Sequence, residues 1–143
     1  RAPVQRNQED PNVKHGGQVF ETIGCAKCHV STMKTGESNI SALSNKQFHP
    51  YTDLLLHDMG ADLDDGYTEG FASTAEWKTP ALWGLGLSAE SQGQQVYLLH
   101  DGRATSIEDA ILKHGGEGLQ SKTNYTNLSE SDKSQLLEFL NSL

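Results

Sequence analysis

The chain has 143 residues, which suits one domain with a packed core. Its 19 acidic residues outnumber 11 basic ones, and the net charge of −8 disfavours nucleic acid and anionic membrane while suiting a basic protein partner. No apolar run approaches membrane-spanning length, and the only two cysteines, Cys25 and Cys28, leave none for a second cysteine-based metal site or a long-range disulfide.

In chain order, residues 1–11 are polar and read as an N-terminal arm or linker, leaving 12–143 as one domain. A start at Arg1, with no Met and no leader-like apolar stretch, is expected of a processed chain or an excised domain. Asn12 to Ile23 predicts a helix, with Val13, Gly16, Phe20 and Ile23 on one stripe and Gly16 open to close approach by another helix. Residues 31–49 are polar and irregular, and Tyr51 to Leu56 reads as a short helix or turn. Ala61 to Thr74 is a Gly- and Asp-rich loop. Its Asp62, Asp64 and Asp65 miss the EF-hand spacing, so an acidic turn is expected there rather than a calcium site.

Thr79-Pro80 has the cap-then-proline pattern of a short helix through Ala81, Leu82 and Trp83. Ser106 to His114 predicts a helix with capping-box spacing at Ser106 and Asp109, and with Ile107, Ala110, Ile111 and His114 on one face. Gly115-Gly116 ends it. Ser129 to Leu143 is the strongest helix, with Ser129 and Asp132 at cap spacing. Its expected stripe is Leu136, Leu137, Leu140 and Leu143, flanked by Phe139. No stretch alternates like a strand.

Cys25-Ala26-Lys27-Cys28-His29 has the spacing of a covalent c-type haem attachment site. Two thiols three positions apart can add to the two vinyl groups on one porphyrin edge, and the next residue then brings its imidazole to the iron as proximal ligand. A thiol redox pair is the competing reading, but no βαβ pattern surrounds the motif. A zinc site would need a second Cys pair or paired His, and neither is present. Few aromatic residues and many glycines also suit a domain that borrows core volume from one haem. The expected fold class is therefore all-α, a cytochrome c-like domain with covalent haem c and long loops.

The ligand on the other haem face decides the chemistry, because axial His or Met favours electron transfer and an open face favours reaction with oxygen species. Candidates are His15, Met33, His49, His57, Met59, His100 and His114. His114 is favoured, since it lies on an apolar helix face beside a Gly-Gly turn and ahead of the terminal helix. Met59, in a Met-Gly loop next to His57, is the alternative. His100-Asp101-Gly102-Arg103 reads as a turn whose His and Arg bond to backbone or to haem propionate. Trp77, Trp83 and Tyr97 read as packing around the haem.

Four segments carry a resemblance to a known family. They are Cys25 to His29, Tyr51 to Gly60, Glu76 to Gly84, and Leu99 to Ala104 followed by Ala110 to Glu117. Together they resemble the C-terminal haem domain of the di-haem oxidoreductase family, described as peroxidases or "thiol oxidoreductases" and similar to bacterial di-haem cytochrome c peroxidases. The resemblance implies that His114 supplies the second axial ligand, giving bis-His coordination with His29. It also implies a propionate contact for Lys78, where relatives often carry Arg. Family members carry two haems on two domains. One haem motif here implies that the N-terminal haem domain is absent.

These readings predict one-electron transfer through a six-coordinate haem in a domain excised from a larger di-haem oxidoreductase, with a peroxidase-like enzyme module as the alternative. The expected partner is a redox protein or the second haem domain of the same parent chain. The expected setting is the bacterial periplasm or another exported location.

Overall fold

A computed structural model describes residues 3–143; Arg1 and Ala2, at the start of the expected arm, lie outside the described residues. Helix α1 runs from Pro11 to Thr22. Asp10 caps it by accepting the Asn12 N–H at 2.8 Å, and Pro11 opens its first turn, where no amide partner is needed. Helix α5, Glu130–Ser142, is capped by Ser129, whose hydroxyl oxygen accepts the Asp132 N–H at 3.1 Å.

These two helices cross. Val13, Val19 and Phe20 of α1 bury with Leu136, Phe139 and Leu140 of α5, joined by Ile23, Tyr125 and Leu143. The crossing is close because Gly16 has no side chain. A Cβ there would lie 2.0 Å from the Gln135 carbonyl oxygen and 2.8 Å from Phe139 Cβ. The N-terminal arm is strapped to the same end of the molecule. Arg6 N donates to Ser142 O at 2.8 Å, its guanidinium reaches the Asn141 carbonyl, and Gln5 Nε2 donates to the Ser142 hydroxyl at 3.0 Å.

The middle of the chain is not helical, and this corrects the all-α, cytochrome c-like expectation. Strands β1 (Met33–Lys34) and β2 (Gln47–Phe48) form one antiparallel pair. Strands β3 (Leu56–Asp58) and β4 (Glu76–Lys78) form another, with His57 opposite Trp77 and Asp58 opposite Glu76. The fold is mixed helix and strand with much loop. Strands of two or three residues are too short for alternation to register in a sequence.

Local side-chain bonds explain why Tyr51 to Leu56 is not a helix. The Thr52 hydroxyl accepts Leu54 N–H and the Asp53 carboxylate accepts Leu55 N–H, both at 2.9 Å, which competes with helical bonding. Tyr51 and Leu54 have φ of 55° and 64°, in the left-handed region. Ala81 to Trp83 is also not helical. Thr79 N–H bonds to Leu55 O and Leu82 N–H to Pro50 O, both at 2.9 Å, so this stretch is tied to the 50–55 segment.

Short helix α2 (Ser88–Ser91) follows, then α3 (Ile107–Lys113) and α4 (Leu119–Thr126). Helix α4 was not expected. It buries only Tyr125, so it leaves little apolar periodicity. Among the described residues no helix is long and apolar enough to cross a membrane.

Candidate functional site

A cavity of about 550 Å³ opens between the Cys25–His29 segment, the β3–β4 pair, the 79–85 stretch and helices α3 and α4. Leu82, Leu85, Leu98, Ile107, Ile111 and Leu136 give it a largely apolar wall. Both cysteines border it. Gly24, with φ of 98°, turns the chain out of α1 and into the 3₁₀ turn Cys25–Lys27. The cysteines are not joined to each other. Burial pushes the Cys25 thiol up to about 11. Burial, then the carboxylates of Asp53 and Glu117, raise that of Cys28. These shifts run opposite to the lowered thiol pKa of a reactive redox pair.

His29 also borders the cavity. Its Nδ1–H donates to the Tyr51 carbonyl at 3.1 Å, which leaves Nε2 as the lone-pair nitrogen. The left-handed turn at Tyr51 presents that carbonyl. Burial holds the imidazole well below its usual 6.5, at about 4, although the Tyr51 bond pulls the other way; the nearby His114 ring lowers it further. The ring is therefore neutral near pH 7, as a metal ligand requires.

His114 receives the same treatment. It is the C-cap of α3, and its Nδ1–H donates to the Ala110 carbonyl at 2.8 Å. That bond satisfies one of the orphan carbonyls at the helix end and again leaves Nε2 without a hydrogen-bond partner among the described residues. Burial lowers its pKa. Room for the ring comes from Gly118, where a Cβ would lie 3.1 Å from His114 Cδ2.

Met59 lines the same cavity, and its backbone lies against Gly115, the residue after His114. A Cβ at Gly115 would stand 2.7 Å from the Met59 carbonyl oxygen. His15, Met33 and His49 do not line the cavity. His15 instead pairs with Asp132 at 2.8 Å, and His49 bonds to the Thr32 hydroxyl at 3.0 Å.

His57 has carboxylates on both ring nitrogens, Asp53 on Nε2 and Glu117 on Nδ1, each at 2.8 Å. Sequence reasoning did not find this bracket. Cys28 Sγ, an Asp53 oxygen and a His57 nitrogen lie within 4.8 Å of one another. Both His57 nitrogens are already committed to carboxylates, so the group reads as a hydrogen-bonded network.

Lys78 and Trp83 both line the cavity. Lys78 has no carboxylate within ion-pair distance among the described residues. Lys122 of α4 joins the lining, a residue missed because its helix was missed. Trp83 packs on Phe48 with ring centroids 6.0 Å apart. Trp77 and His100 also border the cavity and stack, with centroids 3.2 Å apart and planes 12° from parallel. Arg103 bonds to Asp101 and the Asp62 carbonyl, so its role is that of a turn anchor.

The residues fit a haem. Two thiols sit at one wall, two neutral imidazoles are held by Nδ1 with Nε2 free, the cavity is largely apolar, and three lysines, Lys27, Lys78 and Lys122, line it without carboxylate partners among the described residues. That donor set is hard to explain as ordinary packing.

The family model described as "Di-haem oxidoreductase, putative peroxidase" matches residues 1–143. Its name implies a haem cofactor. Among solved structures, the chain is similar to one described as "Kuenenia stuttgartiensis Hydrazine Synthase Pressurized with 20 bar Xenon", with a TM-score of 0.54 at 19% identity. That likeness covers 99% of this chain and 50% of the other, so the chain spans about half that chain's length, and the likeness speaks to fold alone. No curated protein matches it. With the family model covering its whole length, the chain belongs to the di-haem oxidoreductase family.

Proposed function

We propose that this chain would hold one haem covalently through Cys25 and Cys28, with His29 and His114 as the ligands to its iron, and would work as a one-electron carrier. The observation that carries this reading is the matched handling of the two imidazoles. Each gives Nδ1–H to a backbone carbonyl and keeps Nε2 for the cavity. When bound, the haem supplies an iron that cycles between ferric and ferrous. The Tyr51 and Ala110 carbonyls fix tautomer and ring orientation and make each imidazole a better donor. The apolar wall limits water, and Lys78 and Lys122 supply positive charge for the propionates.

A second reading, a peroxidase-like module with a displaceable sixth ligand, draws on Met59, which lines the same cavity and backs onto Gly115. For the partner we favour a basic redox protein or a second haem domain. Residues 47–77 hold seven of the 19 acidic residues and none of the 11 basic ones. The same stretch exposes Leu54, Leu55, Leu56, Tyr67 and Phe71. Such a mixed acidic and apolar surface suits a partner with basic groups around an apolar centre. A periplasmic or otherwise exported location goes with this reading.

The test begins with haem retention after acid–organic denaturation, which a covalent link survives. Optical spectra of the ferric and ferrous protein then report spin state. A low-spin ferric spectrum with slow carbon monoxide binding is expected, and His114→Ala should open the site while Met59→Ala should not. A high-spin ferric spectrum would overturn the electron-carrier reading in favour of the second one.

A further inference from the structure

We propose that His57 is a positioning residue that governs how firmly His114 is held. The inference rests on His114 being the sixth ligand, and it goes beyond that reading by assigning the device that keeps it in place. His114 leaves α3 at its C-cap, so the helix alone does not fix the chain that follows. That chain, Gly115 to Gly118, instead lies directly on β3. A Cβ at Gly116 would stand 2.2 Å from the Asp58 carbonyl oxygen, and one at Gly60 would stand 2.8 Å from Gly116 N. Only glycines allow two backbones to meet this way.

Glu117 locks the contact. One carboxylate oxygen accepts from His57 Nδ1 at 2.8 Å and the other from Asp58 N–H at 3.0 Å. The opposite nitrogen of His57 donates to Asp53 at 2.8 Å. Carboxylates accept and do not donate, so both ring nitrogens of His57 act as donors. Asp53 lies two residues after Tyr51, whose carbonyl orients His29. One imidazole thus ties the segment that orients the proximal ligand to the turn that follows the distal one. The sequence separations are large: His57 and Glu117 are 60 residues apart.

Glycines bring the turn onto β3, but they supply no directional bond. The Glu117 grip does, and His57 holds the carboxylate that makes it. Loss of either should let the turn drift and His114 leave the iron more often.

The experiment uses haem-loaded protein and the variants His57→Ala, Glu117→Ala, Glu117→Gln and the double His57→Ala/Glu117→Ala. The first readout is carbon monoxide association with the ferrous form. Loss of a group hydrogen-bonded directly to a metal-binding His changes affinity or activity by about 10–100-fold, and His57 and Glu117 act one step further out, so the low end of that range is the ceiling here. Both alanine variants should speed association by more than twofold and up to about tenfold, toward the His114→Ala limit. The double variant should match the singles, and Glu117→Gln should recover part of the effect. The second readout is amide hydrogen exchange at residues 114–118, which should quicken in the alanine variants whether or not haem affinity changes.

Association within twofold of the parent in both alanine variants, with exchange unchanged at 114–118, would overturn the proposal. If His114→Ala itself fails to speed association, the ligand assignment falls and the proposal falls with it. If His114→Ala opens the site but the His57 and Glu117 variants do not, only the proposal falls.

Discussion

Gly16 and Gln135 meet backbone to backbone where α1 crosses α5, with only 2.0 Å between the Gln135 carbonyl oxygen and the place a Cβ at residue 16 would occupy. Gly16→Ala must push the helices apart and disturb the packing of Phe20 on Phe139. The cost should be about 2–3 kcal/mol, the upper part of the range for overpacking. Gly17 is the control. A Cβ there would lie 3.3 Å from the Phe139 ring edge, a contact that a small ring shift relieves, and alanine gains helix propensity. Gly17→Ala should therefore be near neutral. Denaturant titrations of both variants, followed by circular dichroism, check the difference.

The helix crossing was legible because it rests on repetition within short stretches. Val13, Gly16 and Phe20 recur at helical spacing, and so do Leu136, Leu140 and Leu143. Even here one detail changed: Phe139 is buried in the core while Leu137 is only half-buried, so the true stripe includes the residue read as flanking. That Cys25, Cys28 and His29 belong together was legible for a similar reason, since they lie within five consecutive residues, and all three line the cavity. The strands and the His57 bracket were not. A ladder of two or three residues has no period to detect, and a bond between residues 57 and 117 leaves no local trace. Tyr51 to Leu56 misled because Thr52 and Asp53 bond to nearby backbone amides, which no hydrophobic pattern records.

The His57 network should give a window in the pH dependence of stability. Glu117, then Asp53, raise the His57 pKa above its usual 6.5. That contribution is complete below pH 6.5 and is lost as pH rises through the folded value. The carboxylates run the other way. His57 and the Asp58 N–H lower Glu117 from 4.5. Burial opposes ionisation of Asp53, but bonds from Leu55, His57 and Thr79 outweigh it and lower the pKa from 3.8. Their contribution is present above those values and is lost as pH falls through the folded ones. The network is therefore strongest between about pH 4.5 and 6.5. Unfolding midpoints across pH 3 to 9 should show less fall on either side of this window in His57→Ala than in the parent. Parallel curves would remove the network from the account of stability.

If a basic redox protein is the partner, the acidic 47–77 stretch should steer it. Asp58 and Glu76 stand directly opposite each other across β3 and β4, with no Lys or Arg paired to either among the described residues. Electron exchange with a lysine-rich small cytochrome, followed by stopped flow, should slow by about tenfold or more as salt shortens the screening length. Glu76→Lys should slow it further at low salt. Glu138→Lys, exposed on α5, should act less. A salt-independent rate would point instead to an apolar contact through Leu54 to Leu56.

Gly118 offers a test that separates folding from the site. Its φ of −80° is ordinary for any residue, so alanine there meets no backbone strain. It stands at the N-cap of α4, where alanine is a poorer residue than glycine, and a small loss of stability is expected. The larger effect should fall on His114. An alanine Cβ would lie 3.1 Å from His114 Cδ2 and 3.2 Å from its Cβ, closer than comfortable contact. The ring is pinned at Nδ1 to the Ala110 carbonyl, so it cannot slide away without weakening that bond. The ring should tilt, and the nitrogen offered to the cavity should tilt with it. Gly118→Ala should thus lose no more than about 1 kcal/mol of stability. Yet in the haem-loaded protein it should bind carbon monoxide several-fold faster. A variant with changed stability and unchanged carbon monoxide binding would mean that the His114 ring does not face the haem iron.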